Sequence, residues 1–178
     1  GLKTLTVIDD DVPDETLDLL EAACAERGLG FDVVEARTLA PGRAPLPPGS
    51  LLLCPGTSAA ADEAQARLFG PGVATFYADP RGPLWDCGLP DVALERAGLP
   101  LPRGVLVGTT DRAWLRRAVA HVGGLPVVLK AAGGEGGVGV MRAESWPALF
   151  GLVDYLVAQG GAPRLTAYVP DGLHWRVV

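Results

Sequence analysis

Histidine, cysteine and lysine are all scarce in this chain, and each scarcity closes off a class of chemistry. His121 and His174 are the only histidines in 178 residues, too few to build a Ser/His/Asp or Cys/His hydrolytic centre. His121 lies in a helical run beside Val122 and reads as structural; His174, in "GLHWRVV" near Arg176, reads equally well as a strand-surface residue or a ligand-facing one. Cys24, Cys54 and Cys87 are odd in number and lack metal-ligand spacing, so they read as small buried apolar groups in a reducing compartment. Excess positive charge is missing too. A net charge of -6 argues against broad binding of nucleic acid or anionic membrane. Neither a basic-then-apolar leader nor an apolar run of membrane-spanning length occurs, so the expected location is cytoplasmic, with no membrane partner.

Lysine is the most informative shortage. Of 15 basic residues only Lys3 and Lys130 are lysines, so arginine is the default cation here. A compact ammonium and a planar guanidinium are not interchangeable beside phosphate oxygens, which marks Lys130 for a task. The competing account is a strand-edge lysine with a packed stem and a solvated head.

Apolar content is ample: 48% hydrophobic residues suffice for a core in one domain or two small ones. "LTVI" (Leu5 to Ile8), "FDVVEA" (Phe31 to Ala36), "LLLC" (Leu51 to Cys54) and "VATFY" (Val73 to Tyr77) read as strands. Between the first two, Leu17, Leu20 and Cys24 share a helical face, with Pro13 at its start and Gly28 at its stop; Ser58 caps a second helix running to Leu68. This βαβ beginning predicts a parallel sheet. The breaker-rich "DPRGPLWDCGLP" (Asp79 to Pro90) reads as a boundary. Beyond it, "DVALERAG" predicts a short helix, "GVLVG" a strand, and "TDRAWLRRAVAHVGG" a helix burying Leu115, Ala118, Val119 and Val122. Strands over Pro126 to Ala132 and Val138 to Arg142 flank a glycine loop. A helix then opens at Ser145 and Pro147, and strands over Leu165 to Val169 and His174 to Val178 complete an α+β half.

Two stretches carry candidate chemistry. The acidic "DDD" (Asp9 to Asp11) after a strand looks like the start of a phosphoacceptor receiver, in which clustered carboxylates bind magnesium. The third strand, however, ends in Cys54 where the accepting aspartate belongs, so acidic residues favoured by a helix dipole are the simpler account. In "PVVLKAAGGEGGVGV" (Pro126 to Val140), a strand lysine precedes five glycines in seven positions. Glycines let peptide N–H groups turn toward an anion and let the chain approach it closely. In a P-loop the lysine follows the glycines and starts a helix, and a dinucleotide fingerprint also needs a helix start after the loop. What remains is strand, glycine turn, strand: a flap over phosphates with a lysine on its first strand. A structural hairpin is the alternative, although a tight hairpin needs fewer glycines.

The order "ERAGLPLPRGVLV", a helix ending in Gly-Gly, "LPVVLKAAGGEGGVGVMRAES", a helix, then "LTAYVPDGLHWRVV" resembles the ATP-grasp superfamily, in particular its carboxylate-amine ligases of the ribosomal-protein glutamate ligase type. The resemblance covers about Asp91 to Val178 and implies an α/β fold: a pre-ATP-grasp parallel-sheet domain over residues 1–88, an α+β small, nucleotide-covering subdomain over 89–165, and the start of the large subdomain over 166–178. It implies that Lys130 contacts ATP phosphates and that the loop of Gly133, Gly134, Glu135, Gly136, Gly137, Val138 and Gly139 closes over them. It further implies that Ala167, Tyr168 and Val169 offer backbone hydrogen bonds to adenine, and that Arg176 approaches phosphate or substrate in a catalytic role.

The implied reaction is phosphorylation of a carboxylate by ATP and displacement of the acyl phosphate by an amine, with small molecules or peptides as substrates, no nucleic acid, and self-association into a homo-oligomer left open. Mg2+ is the implied metal, its ligands expected beyond residue 178, so that the chain alone would bind nucleotide weakly and turn over nothing. Departures stand out at three places. The family's other nucleotide-contacting lysine is missing before "AGLPLP", leaving Arg96 or Arg103 as stand-ins, Thr166-Ala167 replaces a usual Gln-Glu pair, and His174 replaces the aspartate before Arg176. A non-catalytic interaction module on a degenerate grasp fold is the alternative these departures raise, ahead of a receiver-like signalling domain.

Overall fold

The computed structural model describes residues 1–76, 90–131 and 138–170. The chain divides into two compact units, Gly1–Leu101 and Pro102–Val178.

In the first unit β1 (Thr4–Asp9), α1 (Asp14–Glu26), β2 (Gly30–Glu35), β3 (Ser50–Leu53), α2 (Ala59–Leu68), β4 (Ala74–Thr75) and α3 (Pro90–Arg96) follow in order. The strands form a parallel sheet in the order β2-β1-β3-β4. β1 is central and buried on both faces, which is why its sequence is an apolar run rather than an alternation. Leu5 and Val7 pack with Cys24 of α1, beside Leu17 and Leu20, while Thr6 and Ile8 are buried on the other side. Chain order reverses between β1 and β3, so the carboxyl ends of these two strands form the switch point of the sheet. α3 belongs to this unit. Arg96 on α3 donates to the carbonyls of Ala66, Arg67 and Phe69, satisfying the acceptors that the end of α2 leaves over.

In the second unit β5 (Gly104–Leu106), α4 (Arg112–Val122), β6 (Val127–Lys130), β7 (Val140–Ala143), α5 (Trp146–Ala158) and β8 (Arg164–Ala167) build an antiparallel sheet ordered β5-β8-β6-β7. α4 starts where the Asp111 carboxylate accepts the Trp114 N–H at 2.5 Å and stops at Gly123, whose φ of 109° suits glycine. The residues expected on its apolar face, Leu115, Ala118, Val119 and Val122, are buried, and so is Trp114. With Leu149 and Val153 of α5 they cover Val105, Val127, Leu129, Ala143 and Leu165 on one face of the sheet. Outside that core Arg112 pairs with Asp154 at 2.5 Å and lies 4.4 Å from the Phe150 ring centroid, clasping α4 to α5.

A parallel α/β unit followed by an antiparallel α+β unit is the fold class that the sequence pattern indicates. Strand boundaries moved by at most two residues: β8 begins at Arg164 and ends at Ala167, where Leu165 to Val169 was expected. The boundary expected between residues 88 and 89 and the strand expected over His174 to Val178 lie outside the described residues, as does Cys87.

Candidate functional site

Alternation along each strand of the second unit gives its sheet two unlike faces. Val105, Val127, Leu129, Met141, Ala143, Leu165 and Ala167 belong to the core under α4 and α5. The residues between them, Gly104, Leu106, Val128, Lys130, Val140, Arg142, Arg164 and Thr166, fall on the opposite face. That face carries three cations, and none of the four strands contains an acidic residue. Lys130 is exposed at the last position of β6, opposite Val140 on one side and Arg164 on the other.

Immediately past Lys130, the Ala131 N–H donates to the Gly139 carbonyl at 2.9 Å, which extends the β6–β7 ladder by one rung and sets the root of the glycine connection. Gly139 has φ of 80°, and a Cβ there would meet the Ala131 Cβ at 3.2 Å, so the turn requires glycine at this point. Val138 is 74% exposed. Gly133, Gly134, Glu135, Gly136 and Gly137 lie outside the described residues, as do His174 and Arg176.

Of the three residues expected to meet adenine, Ala167 donates its N–H to the Arg103 carbonyl at 2.9 Å and packs against the core. Val169 is exposed, past the end of β8. Tyr168 lies against Arg142, whose guanidinium carbon sits 4.1 Å from the ring centroid and whose Nη1 donates to the phenol oxygen at 3.3 Å. Arg142 also pairs with Glu144 at 3.1 Å. The two arginines considered as replacements for a second lysine are both engaged with backbone: Arg96 at the end of α2, and Arg103 with the His121 carbonyl at 3.4 Å. Sequence periodicity did not single out Arg164 or Arg142. Their common face with Lys130 follows from strand register, which no local pattern encodes.

The acidic cluster of the first unit is neutralised by its own surroundings. Asp9 accepts the Val12 N–H at 2.9 Å, and Asp11, at φ of 63°, pairs with Arg37 at 2.7 Å. Asp10 is only 7% exposed and accepts from the Ser58 hydroxyl at 2.9 Å and the Ser58 N–H at 3.3 Å, while Ser58 caps α2 by accepting from Ala61. Burial, and then the charge of Asp10, raise the Asp62 carboxyl above the ordinary value of 3.8. The dipole account placed these aspartates at the start of α1; Asp10 instead serves the start of α2, forty-eight residues on from it to Ser58. Cys54 is buried, its thiol within 3.7 Å of the Gly56 carbonyl, which leaves the receiver reading without its phosphoacceptor. Among the described residues no three His, Cys, Asp or Glu side chains are grouped to hold a metal, and no helix is long and apolar enough to cross a membrane.

No family model matches this chain, and no curated protein matches it. Among solved structures it is similar to an ATP-grasp RimK domain protein from Sphaerobacter thermophilus, at 20% identity and a TM-score of 0.38, covering 94% of this chain and 64% of that one. It is similar also to carboxyaminoimidazole ribonucleotide synthase from Aspergillus clavatus, complexed with ATP, at 11% identity and a TM-score of 0.41, covering 94% of this chain and 48% of that one. A third is the ATP-grasp ligase PsnB complexed with a precursor peptide and AMPPNP, at 18% identity and a TM-score of 0.35, covering 95% of this chain and 66% of that one. The chain therefore spans between 48% and 66% of the length of these proteins.

Proposed function

We propose that this chain is the nucleotide-binding front part of an ATP-grasp ligase that activates a carboxylate as an acyl phosphate for attack by an amine. The observation that carries the reading is the position of Lys130: exposed, on the sheet face opposite the α4–α5 core, at the root of a glycine-rich connection closed by the Ala131–Gly139 bond. An ammonium and a row of peptide N–H groups are complementary to phosphate oxygens.

In this reading a carboxylate oxygen of a small molecule or peptide attacks the γ-phosphorus of ATP and ADP leaves. The amine then attacks the acyl carbon, phosphate departs, and the amine proton goes to solvent. Lys130 holds the phosphates, and the loop from Gly133 to Gly139, Glu135 and Val138 included, closes over them. Tyr168 and Val169 offer backbone groups to adenine, Ala167 having committed its N–H to Arg103. Arg176 is assigned to phosphate or substrate. Magnesium, which phosphoryl transfer ordinarily uses to offset crowded oxygen charge, finds no fitting ligand set among the described residues.

Calorimetric titration with ATP tests the reading. Lys130→Ala loses one charge-assisted contact, about 1.5 to 3 kcal/mol, or roughly 10- to 150-fold in affinity. Equal affinities for wild type and variant would defeat it.

A further inference from the structure

β2 is the edge strand of the first unit's parallel sheet, paired with β1 alone. Gly30 donates to the Lys3 carbonyl, and alternate residues of a parallel strand bond to the same neighbour, so Val33 turns its N–H and C=O away from β1. The chain then returns alongside this edge. After a short 3₁₀ turn over Ala36–Thr38, the Arg43 N–H closes a second turn on the Ala40 carbonyl at 3.1 Å. "APGR" (Ala40 to Arg43) has proline and then glycine at its two inner positions, with Gly42 at φ of 72°, which are the requirements of a type II turn. Between β2 and the returning chain lies an open cavity of about 240 Å³, whose lining includes Asp32, Val33, Glu35, Thr38 and Arg43.

We infer that this cavity binds a small zwitterion of the α-amino-acid class, its ammonium on Asp32 and its carboxylate on Arg43. The two signs of charge line one cavity without neutralising each other: among the described residues neither the Asp32 nor the Arg43 side chain is engaged in an ion pair or hydrogen bond. Glu35 is partly spent, its Oε1 accepting the Arg37 N–H at 3.2 Å. Charges on an edge strand discourage pairing with another chain, and that accounts for Asp32 and Glu35. It does not call for a guanidinium set beside them by a specific turn. A molecule carrying both an ammonium and a carboxylate gives each group a charge-assisted hydrogen bond, and the guanidinium fork takes a carboxylate through two parallel bonds. The Val33 peptide and the Thr38 hydroxyl supply the remaining polar contacts along the same wall. Volume sets the size of the ligand: the cavity falls below the roughly 300 to 1,000 Å³ of pockets for drug-sized molecules, which suits a single amino acid and not a nucleotide. The site lies wholly in the first unit and does not rest on the nucleotide-binding reading.

The experiment titrates each common amino acid singly into the full-length chain and follows the backbone amide resonances of Val33 and Arg43. At least one amino acid should shift both, saturating below about 10 mM. For the one that binds best, the N-acetyl form lacks the ammonium and the amide lacks the carboxylate, and each should bind about tenfold more weakly. The free amino acid should lose about as much on Asp32→Asn and on Arg43→Gln, and nothing on Lys130→Ala. Absence of a shift with every amino acid overturns the inference, and so does an N-acetyl form or an amide that binds as well as its parent. Binding lost in Lys130→Ala and kept in Arg43→Gln overturns it too, by placing the amino acid on the second unit. The readings with modified ligands use wild type alone, so a variant that does not fold leaves the test intact.

Discussion

A methyl group at residue 56 would stand 2.5 Å from both the Cβ and the Oδ2 of Asp10. Asp10 is not free to withdraw, because the hydroxyl and the N–H of Ser58 both donate to its carboxylate. Gly56→Ala should therefore cost about 1 to 3 kcal/mol, the range for overfilling a packed site, read as a lower urea midpoint with an unchanged slope. An unchanged midpoint would mean that the loop after β3 yields without resistance. Residues of this kind show how far single-residue reading reaches. Lys130 stands out as a candidate because a lysine is conspicuous among thirteen arginines, and the loop after it because glycine excess is visible in any order of reading. That Arg164 is the cross-strand neighbour of Lys130 was not legible, Arg164 being one arginine of many and one residue outside the strand expected there. The partner of Asp10 was hidden for another reason: Ser58 lies forty-eight residues away, and only the parallel pairing of β1 with β3 brings the two strand ends together.

At the scale of elements, α2 illustrates a helix whose start carries more charge than its dipole needs. Ser58 caps it, Asp10 receives Ser58, and Asp62 stands in its first turn with its carboxyl raised by burial and then by Asp10. A carboxyl that binds its proton more tightly in the folded state favours the fold below its ordinary value of 3.8, and that contribution is lost as pH climbs through the raised value. The positive end of the helix works against this shift without reversing it. Asp62→Asn, neutral at every pH, should then be more stable than wild type at pH 7, with the advantage fading toward about pH 3. Paired urea unfolding curves at the two pH values check this, and equal differences at both would contradict it. Among the described residues the existence of strands and α-helices was readable because amphipathic periods and caps are local: Asp111, Ser58 and Ser145 cap the helices that follow them. Strand ends were less so, since a strand stops where its partner does, and β8 stops at Ala167 while the apolar run continues to Val169.

Over the whole molecule, each unit closes a hydrophobic core of its own: Leu5, Val7 and Cys24 in the first, and the α4–α5 layer over β5 to β8 in the second. The change from βαβ alternation to hairpins, legible in the sequence, is the change from a parallel to an antiparallel sheet. A unit as small as Pro102–Val178 has a modest core and little stability to spare. Leu115 is fully buried at the centre of that core, and Leu115→Ala should remove about 2 to 5 kcal/mol. Such a loss is of the order of a small domain's entire stability, so the variant should lose amide protection in β5, β6, β7 and β8. Protection in β1, β2 and β3 should persist, because their side chains pack with α1 and with one another. Native-state hydrogen exchange resolves the two sets of amides in one measurement. Simultaneous loss in both would show that the units fold as one cooperative body, and the sheet face that carries Lys130 would then owe its geometry to the first unit as well as to its own core.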